Sequence, residues 1–133
     1  MDEGIAGYVS YTELLESEYR GDVQAWHELQ LEIVRKAIAD GTWMSIGSIL
    51  TKKNWEDAEV AKPGLALAEA YVIVTYLASE YGLDKCVSIY KAVTEKGAEG
   101  ALSSGIQLNF GQLEIAVKAW LEEMASAPSG TGT

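Results

Sequence analysis

The feature that most constrains the fold of this chain is the apolar segment from Leu65 to Tyr81. Between Ala66 and Tyr81 the clearly polar residues are few: Glu69, Thr75, Ser79 and Glu80. A helix with this pattern is apolar over most of its circumference, and such a helix belongs in the centre of a bundle. At about 1.5 Å per residue it would be roughly 25 Å long, which is too short for a bilayer. The segment therefore predicts a buried core helix, which Gly82 is expected to end.

Helical patterns also precede this segment. The tyrosine-rich residues Met1–Arg20 predict a short helix followed by a mobile or partly helical connection, with a break at Gly21. Asp22 is expected to cap a second helix, because its side chain can accept from the free amides of the first turn. Gly41 should end that helix in a left-handed conformation. Apolar positions recur along it at helical spacing: Val23, Trp26, Leu29 or Gln30, Ile33 and Ala37.

Between the second helix and the core helix, the sequence predicts one more short helical segment and a loop. Trp43–Leu50 is expected to be helical, with its large apolar side chains turned inward. The polar and charged residues Thr51–Gly64 predict the longest loop of the chain. Loops of that length are often functional, but a plain connection is the favoured interpretation here.

The residues after the core helix predict two more helices. Asp84 is expected to cap the first, which should run to about Lys96. Gly97, Gly100 and Gly105 are interpreted as helix stops around a small helical turn at Ala98–Ser103. Asn109 and Gln112 fit a capping box for the last helix. Its predicted apolar face consists of Leu113, Val117, Trp120, Leu121 and Met124.

These patterns together predict an all-α fold, a compact bundle of about five helices plus short helical turns. The chain of 133 residues, 48% of them hydrophobic, fits one domain with one core. We assign residues 1–126 to this helical domain. Residues 127–133 have linker composition and are expected to form a flexible tail or linker.

The composition is acidic, with twenty Asp and Glu residues against ten Lys and Arg and a net charge of -10. Binding to nucleic acid requires clustered Lys and Arg, and the sequence contains no such cluster. The same charge disfavours contact of this segment with an anionic membrane surface. We expect the charge mainly to favour solubility, with attraction of basic partners as the less favoured alternative.

The residues that could carry chemistry are few. Cys86, the only cysteine, shares an apolar helical stripe with Tyr90 and Val93, which predicts a buried, inert thiol. His27 is the only histidine, and it begins the string HELQL. In the zinc motif H-E-x-x-H both histidines, at i and i+4, reach the metal, but position i+4 here is Leu31. We therefore interpret His27 as a partly exposed helix residue rather than a zinc ligand.

Carboxylates do not form a recognisable catalytic pair. Two pairs of acids are expected on the solvated surface: Glu13 with Glu16, and Glu122 with Glu123. No pair is placed by the sequence in an apolar pocket, where one pKa would be raised for acid catalysis. An enzyme that uses carboxylates alone is therefore not favoured. From composition and pattern, the chain is a helical domain without a complete catalytic site.

Several segments carry motifs that occur together in one family. Residues 2–10 read DEGIAGYVS, and residues 68–77 read AEAYVIVTYL, followed by EYG at 80–82. A later run leads from Gly105-Ile106 through Leu113-Glu114 to Trp120-Leu121, and Trp43 begins a short W-x-x-I segment. In order and spacing these segments resemble gluzincin zinc metallopeptidases, the group related to thermolysin, and most of all its bacterial peptidase-MA-like branch.

The resemblance covers nearly the whole chain, and it implies a role for one residue above all. Glu3 corresponds to the third zinc ligand of the family, with Gly4 and Ala6 matching its neighbours. A carboxylate there completes the charge and the tetrahedral geometry begun by two imidazoles. Two departures matter: the two-histidine motif is absent, and Leu67 stands where the family carries a tyrosine proposed to bind the transition state. Tyr71 lies one turn further along.

The resemblance implies a carboxy-terminal helical subdomain of a gluzincin-type metallopeptidase, not catalytic when isolated. No cofactor is expected in this chain itself, and zinc only in a longer parent protein whose upstream part would be its partner, beside a peptide or protein substrate. The resemblance also implies a place outside the cytoplasm or in the cell envelope. The alternative function is a non-catalytic interaction or structural helical domain. Whether Met1 is a natural start is left open by the sequence.

Overall fold

The computed structural model of the protein describes the backbone of residues 2–126, and all of their side chains except those of residues 2, 52, 53, 125 and 126. The tail predicted at 127–133 lies outside the described residues. Seven helices and no strand occupy the described part of the chain, so the all-α prediction is confirmed. The helices are α1 (Asp2–Leu14), α2 (Arg20–Asp40), α3 (Ile46–Leu50), α4 (Lys52–Ala61), α5 (Pro63–Tyr81), α6 (Leu83–Ile106) and α7 (Phe110–Ser126).

Helix α5 is the centre of the bundle and packs against each of the other six helices. Its side chains from Ala68 to Ala78 are all buried, which confirms the predicted core helix. Pro63 stands in its first turn, where the missing amide hydrogen costs nothing, and Gly82 ends it with a positive φ of 88°. Within the described residues, no helix has both the length and the apolar content that a membrane span needs.

Three predictions about where α2 and α6 begin are wrong: the break at Gly21 and the caps at Asp22 and Asp84. Helix α2 begins at Arg20, so Gly21 lies inside it and Asp22 stands in its first turn rather than at its cap. Packing of a long helix on α5 outweighs the roughly 1 kcal/mol that one glycine costs. Asp84 likewise lies in the first turn of α6, and Gly82 occupies the cap position. Both carboxylates still interact favourably with the helix dipole from those positions. The left-handed cap at Gly41 is confirmed, with a φ of 75°.

The predicted loop at Thr51–Gly64 is wrong, because most of it forms helix α4. Ala58 is buried and Trp55, three residues before it, packs partly buried against the core. A helix that touches the core along so narrow a stripe has a largely polar sequence, which is why the segment resembled a loop. The short helix predicted at Trp43–Leu50 is confirmed only from Ile46 onward, after the cap residue Ser45.

Helix α6 contains a kink at Gly97, where φ is 74°, so the predicted stop there is a bend between two helical parts. Gly100 and Gly105, also predicted as stops, lie inside the second part. The predicted burial of Tyr90 is wrong: its side chain is 38% exposed, and Ile89 faces the core instead, together with Cys86. The buried thiol of Cys86 was predicted, and burial raises its pKa to about 11.

The amino-terminal end of α7 is closed by the predicted capping box. The Gln112 amide donates to Asn109 Oδ1 over 2.8 Å, and the Asn109 amide donates back to Gln112 Oε1 over 2.9 Å. The predicted apolar face of α7 is also confirmed: Leu113, Val117 and Leu121 are buried. Trp120 and Met124 pack partly buried against the same core.

Candidate functional site

Helix α1 lies directly on the backbone of α5. A Cβ atom at Gly4 would stand 2.4 Å from the carbonyl oxygen of Ala70 and 2.7 Å from Val74 Cγ2. Only glycine allows two helices to approach so closely at this point, since real Cβ contacts essentially never fall below about 3 Å. A Cβ atom at Gly7, one turn on, would stand 3.2 Å from Cδ1 of the Tyr71 ring. The absence of side chains at Gly4 and Gly7 therefore lets α1 pack closely against α5.

Glu3 lies beside this contact but points elsewhere. Its side chain is exposed and lines a groove of about 710 Å³ between α1 and α2. Neighbouring residues on a helix differ by about 100° in direction, so Gly4 can face α5 while Glu3 faces the groove. Glu3 forms no ion pair with any described residue. The carboxylate is thus free to bind a group from outside, on a helix that cannot shift easily.

The groove is lined mainly by small, apolar and aromatic side chains. Helix α1 contributes a stripe at helical spacing, in which Gly7, Tyr11 and Leu14 follow Glu3. Tyr19 and Trp26 form much of the other wall and stay 54% and 39% exposed. The groove is thus bordered by two partly exposed aromatic rings.

A cluster of three rings joins α1, α2 and α5 next to the groove. The His27 ring stacks on the Tyr11 ring, with centroids 4.4 Å apart, and its Nδ1 shares a hydrogen bond of 2.5 Å with the Tyr71 hydroxyl. Burial lowers the pKa of His27, with a smaller contribution in the same direction from Arg35. A neutral ring carries one N–H, so Nδ1 accepts from the Tyr71 hydroxyl in one tautomer and donates to it in the other. Burial also raises the pKa of Tyr71 and of Tyr11, which keeps both hydroxyls protonated.

Helix α5 also carries a buried carboxyl group, that of Glu69. Glu69 is fully buried; its Oε1 accepts from the Met44 amide over 2.8 Å, and its Oε2 has no hydrogen-bond partner among the described residues. Burial raises the pKa of Glu69 to about 8, and the nearby Glu114 adds to this, while the Met44 amide and Lys118 oppose it. Glu69 is therefore protonated near neutral pH.

The carboxylate of Glu114 belongs to a separate polar network on the surface side of Glu69. Its Oε1 accepts from Trp43 Nε1 over 2.8 Å, and its Oε2 lies 3.4 Å from Lys118 Nζ. The Lys118 ammonium also stands 5.3 Å from the centre of the Trp43 ring. Through these contacts Trp43 joins the segment before α3 to helix α7.

The described residues do not form a metal site by themselves. They contain no group of three His, Cys, Asp or Glu side chains that could hold an ion. His27 Nδ1 is hydrogen-bonded to the Tyr71 hydroxyl, and His27 is not among the residues that line the groove with Glu3.

The remaining predicted residues are placed as follows. Leu67 is 44% exposed on α5, whereas Tyr71, one turn later, is buried against His27. The hydroxyl of Tyr71 is therefore engaged in the core. Both pairs of surface acids named above are exposed, as predicted.

Two functional candidates were missed by sequence reasoning, namely the ring pair of Tyr11 with His27 and the buried Glu69. A signal for Glu69 existed, since it is the only charged residue in the first fifteen positions of the apolar stretch that begins at Leu65.

No protein-family model, curated protein or solved structure matches this chain.

Proposed function

We propose that the chain is the carboxy-terminal helical subdomain of a gluzincin-type zinc metallopeptidase, and that it is not catalytic by itself. In this proposal Glu3 is the third ligand of a zinc ion whose other protein ligands come from an upstream part of the same protein. The chain then contributes the ligand helix and one wall of the substrate cleft.

The observation that carries the proposal is the position of Glu3 relative to Gly4. A ligand carboxylate must be held by a rigid backbone, because small displacements lower metal affinity, and it must also face open space. Gly4 supports the first condition through its contact with Ala70, and the exposure of Glu3 supports the second. The order of the elements supports it further, because α1 and α5, which carry the two best-matched motifs, are in direct contact.

The test uses the longest reading frame that contains this chain. We expect an H-E-x-x-H helix upstream of Glu3, and about one zinc per molecule by elemental analysis. Glu3→Gln keeps the shape of the side chain but removes its charge, and it should lower zinc affinity by at least about tenfold. Glu13→Gln, an exposed acid on the same helix, is the matched control and should leave zinc binding unchanged.

Two results would contradict the proposal. One is a parent reading frame without an H-E-x-x-H sequence upstream of Glu3. The other is stoichiometric zinc that is unaffected by Glu3→Gln. The isolated chain, for its part, should bind zinc no more tightly than its Glu3→Gln variant does, because one carboxylate cannot hold the ion in water.

A second candidate function is a non-catalytic interaction domain. The exposed Leu67, at the position of the family's tyrosine, and the exposed aromatic groove favour it. Crosslinking with this domain as bait distinguishes the two functions when it is combined with a protease assay of the parent. A crosslinked partner without protease activity would support the interaction domain, whereas protease activity without such a partner would count against it.

A further inference from the structure

The segment that forms the two walls of the groove between α1 and α2 carries an excess of negative charge. Residues 2–28, which contain α1 and the start of α2, hold seven acidic residues and a single basic one, Arg20. Their net charge of -6 is more than half of the net charge of -10 carried by the whole chain. Two of these acids, Glu3 and Asp22, line the groove itself, and neither forms an ion pair with a described residue.

We propose that this groove binds a short peptide segment that contains both apolar side chains and lysine or arginine. Apolar side chains of the segment would lie on Leu14, Val23 and Trp26. A basic side chain of the segment would reach Asp22 in the first turn of α2. Exposed aromatic rings also attract ammonium and guanidinium groups through their π faces, which suits Tyr19 and Trp26 to such a ligand.

The dimensions of the groove agree with a peptide. Glu3 and Leu14 mark the ends of the stripe on α1, which at about 1.5 Å per residue is roughly 16 Å long. That length is covered by about five residues in an extended conformation or about eleven in a helix. A nucleic acid or an anionic lipid is excluded as the occupant by the sign of the charge.

This binding requires neither zinc nor an upstream part of the protein, so it goes beyond the proposed function. The probe is a fluorescein-labelled peptide of about twelve residues, with leucine at helical spacing and lysine elsewhere. It is titrated with the protein in EDTA and followed by fluorescence anisotropy. Two comparison peptides replace every lysine by glutamate, or every leucine by serine. Both should bind at least about tenfold more weakly, because each lacks one of the two complementary features.

Variants locate the binding. Ala6→Leu adds bulk to an exposed residue of the groove wall, and it should weaken binding at least about tenfold by occupying the space of the ligand. Asp22→Asn should weaken it about twofold to fivefold, the effect of one solvated ion pair. The matched controls lie away from the groove: Ile115→Leu, at a residue that is 72% exposed on α7, and Glu80→Gln on α5. Both should bind as the unmodified protein does, and circular dichroism verifies that every variant is folded.

The inference is overturned if the lysine–leucine peptide does not bind at millimolar concentration. It is also overturned if Glu80→Gln weakens binding as much as Asp22→Asn, because the attraction would then be non-specific. Retained affinity in a folded Ala6→Leu variant would place the peptide elsewhere and overturn it as well. Because zinc is chelated throughout, none of these outcomes depends on whether the metallopeptidase proposal holds.

Discussion

The stability of this protein should decrease as the pH rises through the neutral range, because of Glu69. The pKa of this carboxyl is about 8 in the folded protein, against 4.5 for an unperturbed glutamate. Between these values the folded state binds more protons than the unfolded state does. The free energy of unfolding therefore falls as the pH rises. The contribution of Glu69 is fully present below about pH 4.5 and is lost by about pH 8.

The size of the effect follows from the two pKa values. Each pH unit between them costs about 1.4 kcal/mol, so the loss from about pH 4.5 to about pH 7 is roughly 3 kcal/mol. This is a large share of the 5–15 kcal/mol that typically stabilises a domain. It arises because ionised Glu69 would be buried with one hydrogen bond, from the Met44 amide, and with Oε2 unpaired among the described residues.

The assay is urea unfolding, followed by circular dichroism, at several values between about pH 5 and pH 9. The unmodified protein is compared with Glu69→Gln, which cannot ionise but can still accept from the Met44 amide. Any cost of burying the second amide hydrogen-bonding group is independent of pH. Relative to the unmodified protein, the variant should therefore gain about 1.4 kcal/mol per pH unit in the neutral range, and nothing further above about pH 8.5.

The control is Glu80→Gln, which removes an exposed carboxylate from the same helix. Because this variant retains Glu69, its free energy of unfolding should fall with pH as that of the unmodified protein does. If the difference between Glu69→Gln and the unmodified protein were constant from about pH 5 to pH 9, the carboxyl would be ionised in the fold. The reasoning from its burial would then be refuted.

Three further predictions concern the packing around α1 and the core. Gly4→Ala should destabilise the protein by about 2 kcal/mol in urea unfolding, because its Cβ would overlap the α5 backbone. A Cβ atom at Gly21 would lie in open space inside α2, so Gly21→Ala should stabilise the protein by about 0.5–1 kcal/mol. Equal effects of Gly4→Ala and Gly21→Ala on the free energy of unfolding would contradict the close contact between Gly4 and α5. The NMR titration of His27 should give a pKa below 6.5. The contribution of His27 to stability should then be lost as the pH falls through and below 6.5. Tyr71→Phe, which removes the hydroxyl bound to His27, should lower the free energy of unfolding by about 1 kcal/mol. Cys86 should react with a thiol reagent only after unfolding, and fast reaction in the native protein would contradict its burial.

The sequence predicted the elements whose apolar pattern is wide or repeated. Helix α5 was clear from its nearly continuous apolar run, and α7 from a capping box followed by a regular stripe. Helix α4 was missed because its core contact is limited to a narrow stripe around Ala58. Its remaining residues are polar, and local propensity does not separate such a helix from a loop.

The candidate site was predictable only in part, because most of its contacts join distant segments. The count of histidines showed that no site with two histidine ligands can be built within this chain. The pairing of His27 with Tyr71 could not be foreseen, since these residues are 44 positions apart and meet only when α2 packs on α5. The burial of Glu69 was equally hidden, because the sequence does not show whether a polar side chain on an apolar helix can reach solvent.

The small residues of α1 connect its packing with the groove. Gly4 allows α1 to approach the α5 backbone, and a larger residue there would push the helix outward. Ala6 and Gly7 give the same helix little volume on the side of α2, so Tyr19 and Trp26 remain partly uncovered instead of being buried by α1. A bulkier α1 would close the groove and bury more apolar surface, which would stabilise the domain by about 25 cal/mol per Å². The open groove is thus a stability cost of this sequence.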